Sequence, residues 1–213
     1  NITPDKISLL KLSCDPFFKK IKINEKQKID FLNKYNLSNR YILYLGPTDL
    51  RKNLIKLIES YEIFNRNNPD NIKLVIVGKL GEEIDLYKEK IKKLDILKNV
   101  IFTNYVSDKD ARIFYNLCSL FVFPSLEEGF GLPILEALKC GANVICSNRR
   151  PMKDIINFKK NLFDPNDKFS IENKIKENLI KENNITKNFL YKNSKKFNWN
   201  KTILDFDYHL KKI

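Results

Sequence analysis

Short apolar runs recur along this chain, each followed by a longer amphipathic stretch. Tyr41-Ile-Leu-Tyr-Leu45, Asn71-Ile-Lys-Leu-Val-Ile-Val77, Asn99-Val-Ile-Phe-Thr103, Leu120 to Phe123 and Asn143 to Cys146 are the clearest, and Asn161-Leu-Phe163 adds a short sixth. Runs this brief, closed by Gly or polar residues, read as buried strands. Between them, Leu54, Leu57, Ile58 and Tyr61 share one face of the segment from Leu54 to Phe64, and further helical segments cover Glu82 to Leu94 and Ser107 to Leu117. Another precedes the first run, from Ile23 to Tyr35, with Ile29, Leu32 and Tyr35 at helical spacing. Such alternation leaves few options. Parallel strands need crossovers, the crossovers are right-handed, and their helices cover both faces of the sheet. The expectation is an α/β protein, a Rossmann-like parallel sheet flanked by helices, with ligands beyond the carboxyl ends of the strands.

No repeat or low-complexity linker divides the chain, and 213 residues suffice for one full core. One domain is expected: residues 1–20 as a short strand and a turn at Asp15-Pro16, 40–165 as the sheet core, and 167–213 as polar helices packed on it. Because the chain starts at Asn1 rather than Met, it reads as a piece of a longer protein. Lys and Arg outnumber Asp and Glu by 39 to 26, a net charge of +13. An excess of that size can serve nucleic acid or an anionic membrane surface. Here the lysines are spread among abundant Asn and Ile, without aromatic interleaving or a nucleic-acid-binding motif, so no nucleic-acid partner is expected. Cys14, Cys118, Cys140 and Cys146 lack the paired spacing of a zinc or redox site, and His209 is the only histidine. Metal ligation, a histidine-based triad and a resident cofactor therefore have little to build on, and none is expected.

The chemistry concentrates between Ser119 and Asn148. The strand run Ser119-Leu-Phe-Val-Phe-Pro124 gives way to Ser125-Leu-Glu-Glu-Gly-Phe-Gly-Leu132, and a helical segment starts near Pro133. A strand, a glycine-bearing loop and a helix start in that order deliver unpaired backbone amides to an anion, and glycine lets the anion approach closely. Glu128 and Glu136 bracket the loop. Carboxylates accept strong hydrogen bonds from sugar hydroxyls, so amides for phosphate and acids for hydroxyls together point to a sugar nucleotide. A second candidate lies after the first strand, in Gly46-Pro-Thr-Asp-Leu-Arg-Lys-Asn53, where Arg51 and Lys52 place two cations at a strand's carboxyl end.

At Glu128-Gly-Phe-Gly-Leu-Pro-Ile-Leu-Glu136, with its continuation Ala137-Leu-Lys-Cys-Gly-Ala-Asn-Val-Ile-Cys-Ser-Asn148, the chain resembles retaining glycosyltransferases of family 4, the glycosyl transferases group 1 with the two-domain GT-B architecture. Arg51-Lys-Asn53 is similar to the turn with which that family grips the donor diphosphate, and Phe197-Asn-Trp-Asn-Lys-Thr202 to the segment where its final helix returns toward the N-terminal domain. One departure is Pro47, where some members carry an arginine. The resemblance implies a C-terminal, donor-binding domain with its N-terminal acceptor domain absent. It implies Glu128 as the catalytic residue nearest the transferred sugar, with Gly129 and Phe130 beside it, and Glu136 as the ribose ligand. Arg51, Lys52 and the backbone of Phe130, Gly131 and Leu132 would hold the diphosphate, while Gly78, Lys79, Tyr105 and Val106 would line the base. The implied partner is a nucleotide-diphosphate-sugar donor, used without a metal or cofactor in polysaccharide, lipopolysaccharide or glycolipid synthesis. The setting it implies is cytoplasmic, including the inner membrane surface with a lipid-linked acceptor.

Other signals carry less. Asp205-Phe-Asp207 matches a metal-binding pattern of another transferase architecture, yet it falls in a helical segment rather than at a strand end. Gly78-Lys79 lacks the remainder of a P-loop. Three rival readings stay open: a non-catalytic nucleotide-sugar-binding module, a GT-B-like sugar-nucleotide epimerase, and a basic protein that binds polyanions, whose binding would collapse with salt.

Overall fold

The computed structural model describes residue 3, residues 7–180 and residues 184–211; the rest of the expected lead-in segment falls outside that range. Six strands form one sheet: β1 (Tyr41–Leu45), β2 (Lys73–Val77), β3 (Val100–Phe102), β4 (Leu120–Phe123), β5 (Val144–Ser147) and β6 (Leu162–Phe163). All neighbours pair in parallel, in the order β3-β2-β1-β4-β5-β6. This is the expected Rossmann-like sheet. Every residue of β4 and β5 is buried, as for strands covered on both faces. Strand β2 starts two residues later than the apolar run because Asn71 still turns, with φ 46°. Chain order runs outward from β1 to β3, returns to β4 beside β1, and runs outward the other way. Connections therefore diverge between β1 and β4, and a crevice opens beyond their carboxyl ends.

The helices follow from their caps and apolar faces. In α1 (Glu25–Lys34), Asn24 and Gln27 bond reciprocally in a capping box. In α2 (Leu54–Arg66), Leu54, Leu57, Ile58, Tyr61 and Phe64 are all buried. Helix α3 (Ile84–Lys93) buries Tyr87 and Ile91, and α4 (Asp108–Leu117) is capped by Ser107, whose side chain accepts from the Asp110 amide. Helix α5 (Leu132–Lys139) starts from Gly131 at φ 98°, and a short α6 (Met152–Ile156), not expected from the sequence, follows β5. The C-terminal helices α7 (Lys168–Ile180), α8 (Asn184–Ser194) and α9 (Trp199–Leu210) come last. Helix α7 lies along α2, and α8 lies against α5.

The lead-in segment differs from expectation. Among the described residues, 7–14 form no strand. Their backbone is engaged elsewhere: Thr202 Oγ1 donates to the Lys11 carbonyl at 2.5 Å and Trp199 Nε1 to the Cys14 carbonyl at 3.2 Å. The segment thus runs along α9 instead of adding to a sheet edge. The expected turn at Asp15 is present, with the Phe17 amide donating to Asp15 Oδ1 at 2.7 Å and the Phe18 amide to the Asp15 carbonyl at 3.0 Å.

Candidate functional site

Two loops meet where the connections diverge. The first leaves β1 through Gly46 and enters a 3-10 turn at Leu50–Lys52, capped by Asp49. Three hydroxyl bonds hold it in shape: Tyr44 donates to the Pro47 carbonyl at 2.5 Å, Tyr87 donates to the Thr48 carbonyl at 2.8 Å, and Thr48 Oγ1 accepts from the Gly81 amide at 2.7 Å. At its end Asn53 takes the left-handed conformation, φ 59°, and its side-chain Nδ2 donates to the carbonyls of Pro124 at 3.2 Å and Pro165 at 2.7 Å. The second loop, after β4, is fastened to the first. The Arg51 carbonyl accepts from the Leu126 amide at 2.8 Å and from Ser125 Oγ at 3.2 Å.

A cavity of about 450 Å³ opens beyond β1 and β2. Gly78, Lys79, Tyr105, Val106 and Glu136, all singled out from the sequence, line it together with Gly46 and Pro47. Its floor depends on a close backbone approach. At Gly78, with φ 140°, an added Cβ would stand 2.0 Å from the Gly46 carbonyl oxygen. Tyr105, 77% exposed, stands at the mouth as a ring open to stacking. Asp15, Phe18 and Asp108 complete this wall, brought in from the lead-in turn and the start of α4.

Glu136 reaches this cavity from the second turn of α5, and the Tyr115 hydroxyl donates to its Oε2 at 3.0 Å. Burial pushes the Glu136 carboxyl above its usual range; the Tyr115 bond pulls it back, while Asp108 and Asp15 push it further up. A carboxylate short of solvent and flanked by like charges gains by accepting further hydroxyl bonds.

The loop after β4 carries the other acid. Glu128 Oε1 meets Lys52 Nζ at 2.6 Å, and both side chains are nearly enclosed, 13% and 8% exposed. Lys52 also lies 5.9 Å from the Phe123 ring centroid. Of the two expected cations, only Lys52 makes this contact, because the Arg51 guanidinium turns to Asp49 at 3.2 Å and is 64% exposed. Glu128 does not line that cavity; the turn from Gly46 to Lys52 joins the two places, with Gly46 and Pro47 lining the cavity and Lys52 paired to Glu128. Gly129 and Phe130 instead line a second hollow of about 340 Å³. The Phe130 ring packs edge-on against Phe197 at 6.2 Å, which gives its side chain a packing role. Gly131 and Leu132 begin α5, with Pro133 in its first turn, so first-turn amides stand beside the Glu128 loop.

Residues that the sequence did not single out also build the site. Tyr115, Phe18, Asp15 and Asp108 look like ordinary helix, core or turn positions, and only the folded chain brings them beside Glu136. Ser125 and Asn53 bolt the two loops together. Among the described residues no group of three or more His, Cys, Asp or Glu could hold a metal ion, and no helix is long and apolar enough to cross a membrane.

The fold and much of the sequence are shared with known proteins. An O-antigen chain mannosyltransferase B of Escherichia coli is 32% identical over 168 residues, 78% of this chain and 44% of that protein. The chain spans less than half the length of the curated relatives it matches. Among solved structures, the C-terminal domain of a glycosyl transferase group 1 family protein (LpcC) of Francisella tularensis superimposes with a TM-score of 0.67 at 23% identity, covering 84% of this chain and 92% of that one. Anabaena HepE in complex with UDP and glucose gives a TM-score of 0.75 at 19% identity, over 94% of this chain and 56% of that one. These likenesses establish the GT-B type of half-fold. The profile of the family described as glycosyl transferases group 1 matches residues 25–197. The chain belongs to the glycosyl transferases group 1 family.

Proposed function

We propose that this chain is the donor-binding part of a retaining glycosyltransferase that takes a sugar from a nucleotide diphosphate. The observation that carries the reading is that one turn joins an enclosed carboxylate, Glu136, to a nearly buried ion pair, Lys52 with Glu128. In this reading the base lies between Tyr105, Val106 and the Gly78-Lys79 strand end, and the ribose hydroxyls donate to Glu136. Lys52 takes the diphosphate with Arg51 and the amides of Phe130, Gly131 and Leu132. Glu128, with Gly129 and Phe130 alongside, faces the transferred sugar. Stabilising the departing diphosphate is the main electrostatic task of such a transfer. Preset amides and a lysine can perform it without a metal ion.

The acceptor is held by the remainder of a longer enzyme, a reading supported by the shares of relatives covered and by the likeness to a solved C-terminal domain. The mannosyltransferase relative favours a mannosyl donor and a surface polysaccharide or lipid-linked acceptor at the inner face of the membrane. Calorimetric titration of the chain with nucleosides, nucleoside diphosphates and nucleotide sugars carrying mannose or glucose tests the reading. Diphosphates should bind measurably and nucleosides hardly at all, and Lys52→Ala and Glu136→Ala should each weaken diphosphate binding by about tenfold or more. Equal affinity for nucleoside and nucleoside diphosphate would overturn it.

A further inference from the structure

We propose that Tyr115 is a positioning residue for donor binding: its buried hydroxyl holds the Glu136 carboxylate in the orientation that accepts the ribose hydroxyls. The inference rests on the donor-site reading above and adds to it a residue that touches no substrate. The Tyr115 hydroxyl donates to Glu136 Oε2 at 3.0 Å, and Glu136 lines the cavity. The ring that carries the hydroxyl is fixed from two sides. Phe121 of β4 meets it edge-on at 5.3 Å and Phe18 of the lead-in turn at 6.0 Å, with interplanar angles of 82° and 74°. Tyr115 itself is fully buried. A hydroxyl on a ring clamped by a strand and a turn has one place to point, so Glu136 loses its rotamer freedom before a ligand arrives.

The surroundings make that bond consequential. Asp108, Asp15 and Lys79 are the charged groups that line the cavity with Glu136; the two aspartates oppose its ionisation, as does burial. The nearby thiols of Cys14 and Cys140 are themselves raised by burial and stay neutral at physiological pH. Tyr115, whose own hydroxyl burial keeps protonated, is the neighbour that favours the carboxylate form.

The test uses the 213-residue chain with UDP and GDP as probes, by calorimetry across pH. Tyr115→Phe removes one oxygen and should weaken binding of whichever probe binds by about fivefold to tenfold at neutral pH. Its loss of binding on acidification should begin at a higher pH than in the wild type, because Glu136 is then protonated more easily. In a Glu136→Ala background the same substitution should change nothing, since the group it positions is gone. Glu136→Asp, which keeps the charge but withdraws it from the hydroxyl, should weaken binding as well and leaves the Tyr115 ring in place should Tyr115→Phe fold poorly. Wild-type affinity in Tyr115→Phe or Glu136→Asp, an unmoved acid limb, or an equal loss in the Glu136→Ala background would overturn the inference while leaving the donor site standing. Failure of the wild type to bind either probe would remove the donor-site reading and this inference together.

Discussion

At the scale of single residues, the site is built by backbone proximity and by one nearly buried ion pair. Gly78 allows the carboxyl ends of β1 and β2 to approach so closely that no side chain fits, since an added Cβ would stand 2.0 Å from the Gly46 carbonyl oxygen. Gly78→Ala should destabilise the chain by about 3 kcal/mol or more, because neither backbone can yield without opening the sheet. A urea midpoint equal to that of the wild type would refute this. The Lys52 and Glu128 pair behaves differently. Removing one partner leaves the other charge enclosed, with a penalty of roughly 3 kcal/mol, whereas replacing both leaves no unpaired charge. Lys52→Met should therefore be less stable than Lys52→Met combined with Glu128→Gln, with a coupling of about 1 to 3 kcal/mol in a double-mutant cycle. Strictly additive losses would show that the pair contributes nothing to the ligand-free fold. The same pair bears on function, because a diphosphate must draw Lys52 away from Glu128 or share it.

At the scale of elements, polar contacts tie helices to one another across the sheet's flank. Asp110, in the first turn of α4, accepts from Lys34 Nζ and from the Tyr35 hydroxyl, both at 2.7 Å, and so ties α4 to the end of α1. Burial alone would raise its carboxyl, but the two bonds hold it below its usual range. A carboxyl depressed by folding contributes stability above its unfolded value and loses it as pH falls through the folded one. Asp110→Asn should thus cost about 1 to 2 kcal/mol at pH 7, with the gap to the wild type closing toward pH 3. Thermal melts over that range check it; a pH-independent gap would mean that packing, not ionisation, sets the effect. The sequence made the strands and most helices legible, because parallel strands buried on both faces are apolar throughout and the helices show one apolar face. The lead-in segment misled because Ile7, Leu9 and Leu12 look like a strand, while the carbonyls of Lys11 and Cys14 in fact bond to Thr202 and Trp199. Glu128 and Lys52 could be singled out because each sits in a loop or turn beyond a strand's carboxyl end, and Glu136 because its helix follows the Glu128 loop directly. Tyr115, Phe18 and Asp15 were not, because no local pattern distinguishes a tyrosine under a carboxylate from one in a core.

At the scale of the whole molecule, one side of the domain is finished and another is open. Trp199, Ile203, Phe206 and Leu210 recur on α9 at intervals of four, three and four residues, which places them on one face of the helix. All four are 41–60% exposed, while Thr202 beneath them is buried. In the reading above this helix returns toward the rest of a longer enzyme, so its apolar stripe marks a contact surface that the chain taken alone leaves open to a second copy. The net charge of +13 works against bringing two copies together, and salt weakens that repulsion. The chain should consequently be monomeric at low ionic strength and associate as salt rises toward about 0.5 M, where screening acts within a few ångströms. That salt dependence has the opposite sign to polyanion binding, which weakens with salt. Ile203→Glu with Phe206→Glu should keep the chain monomeric throughout, with little change in melting temperature because both positions are already exposed. Sedimentation at several concentrations and salt levels decides the matter. Association that survives the double substitution would place the contact elsewhere, and a monomer at every salt level would show that the stripe is too weak to bind a second copy.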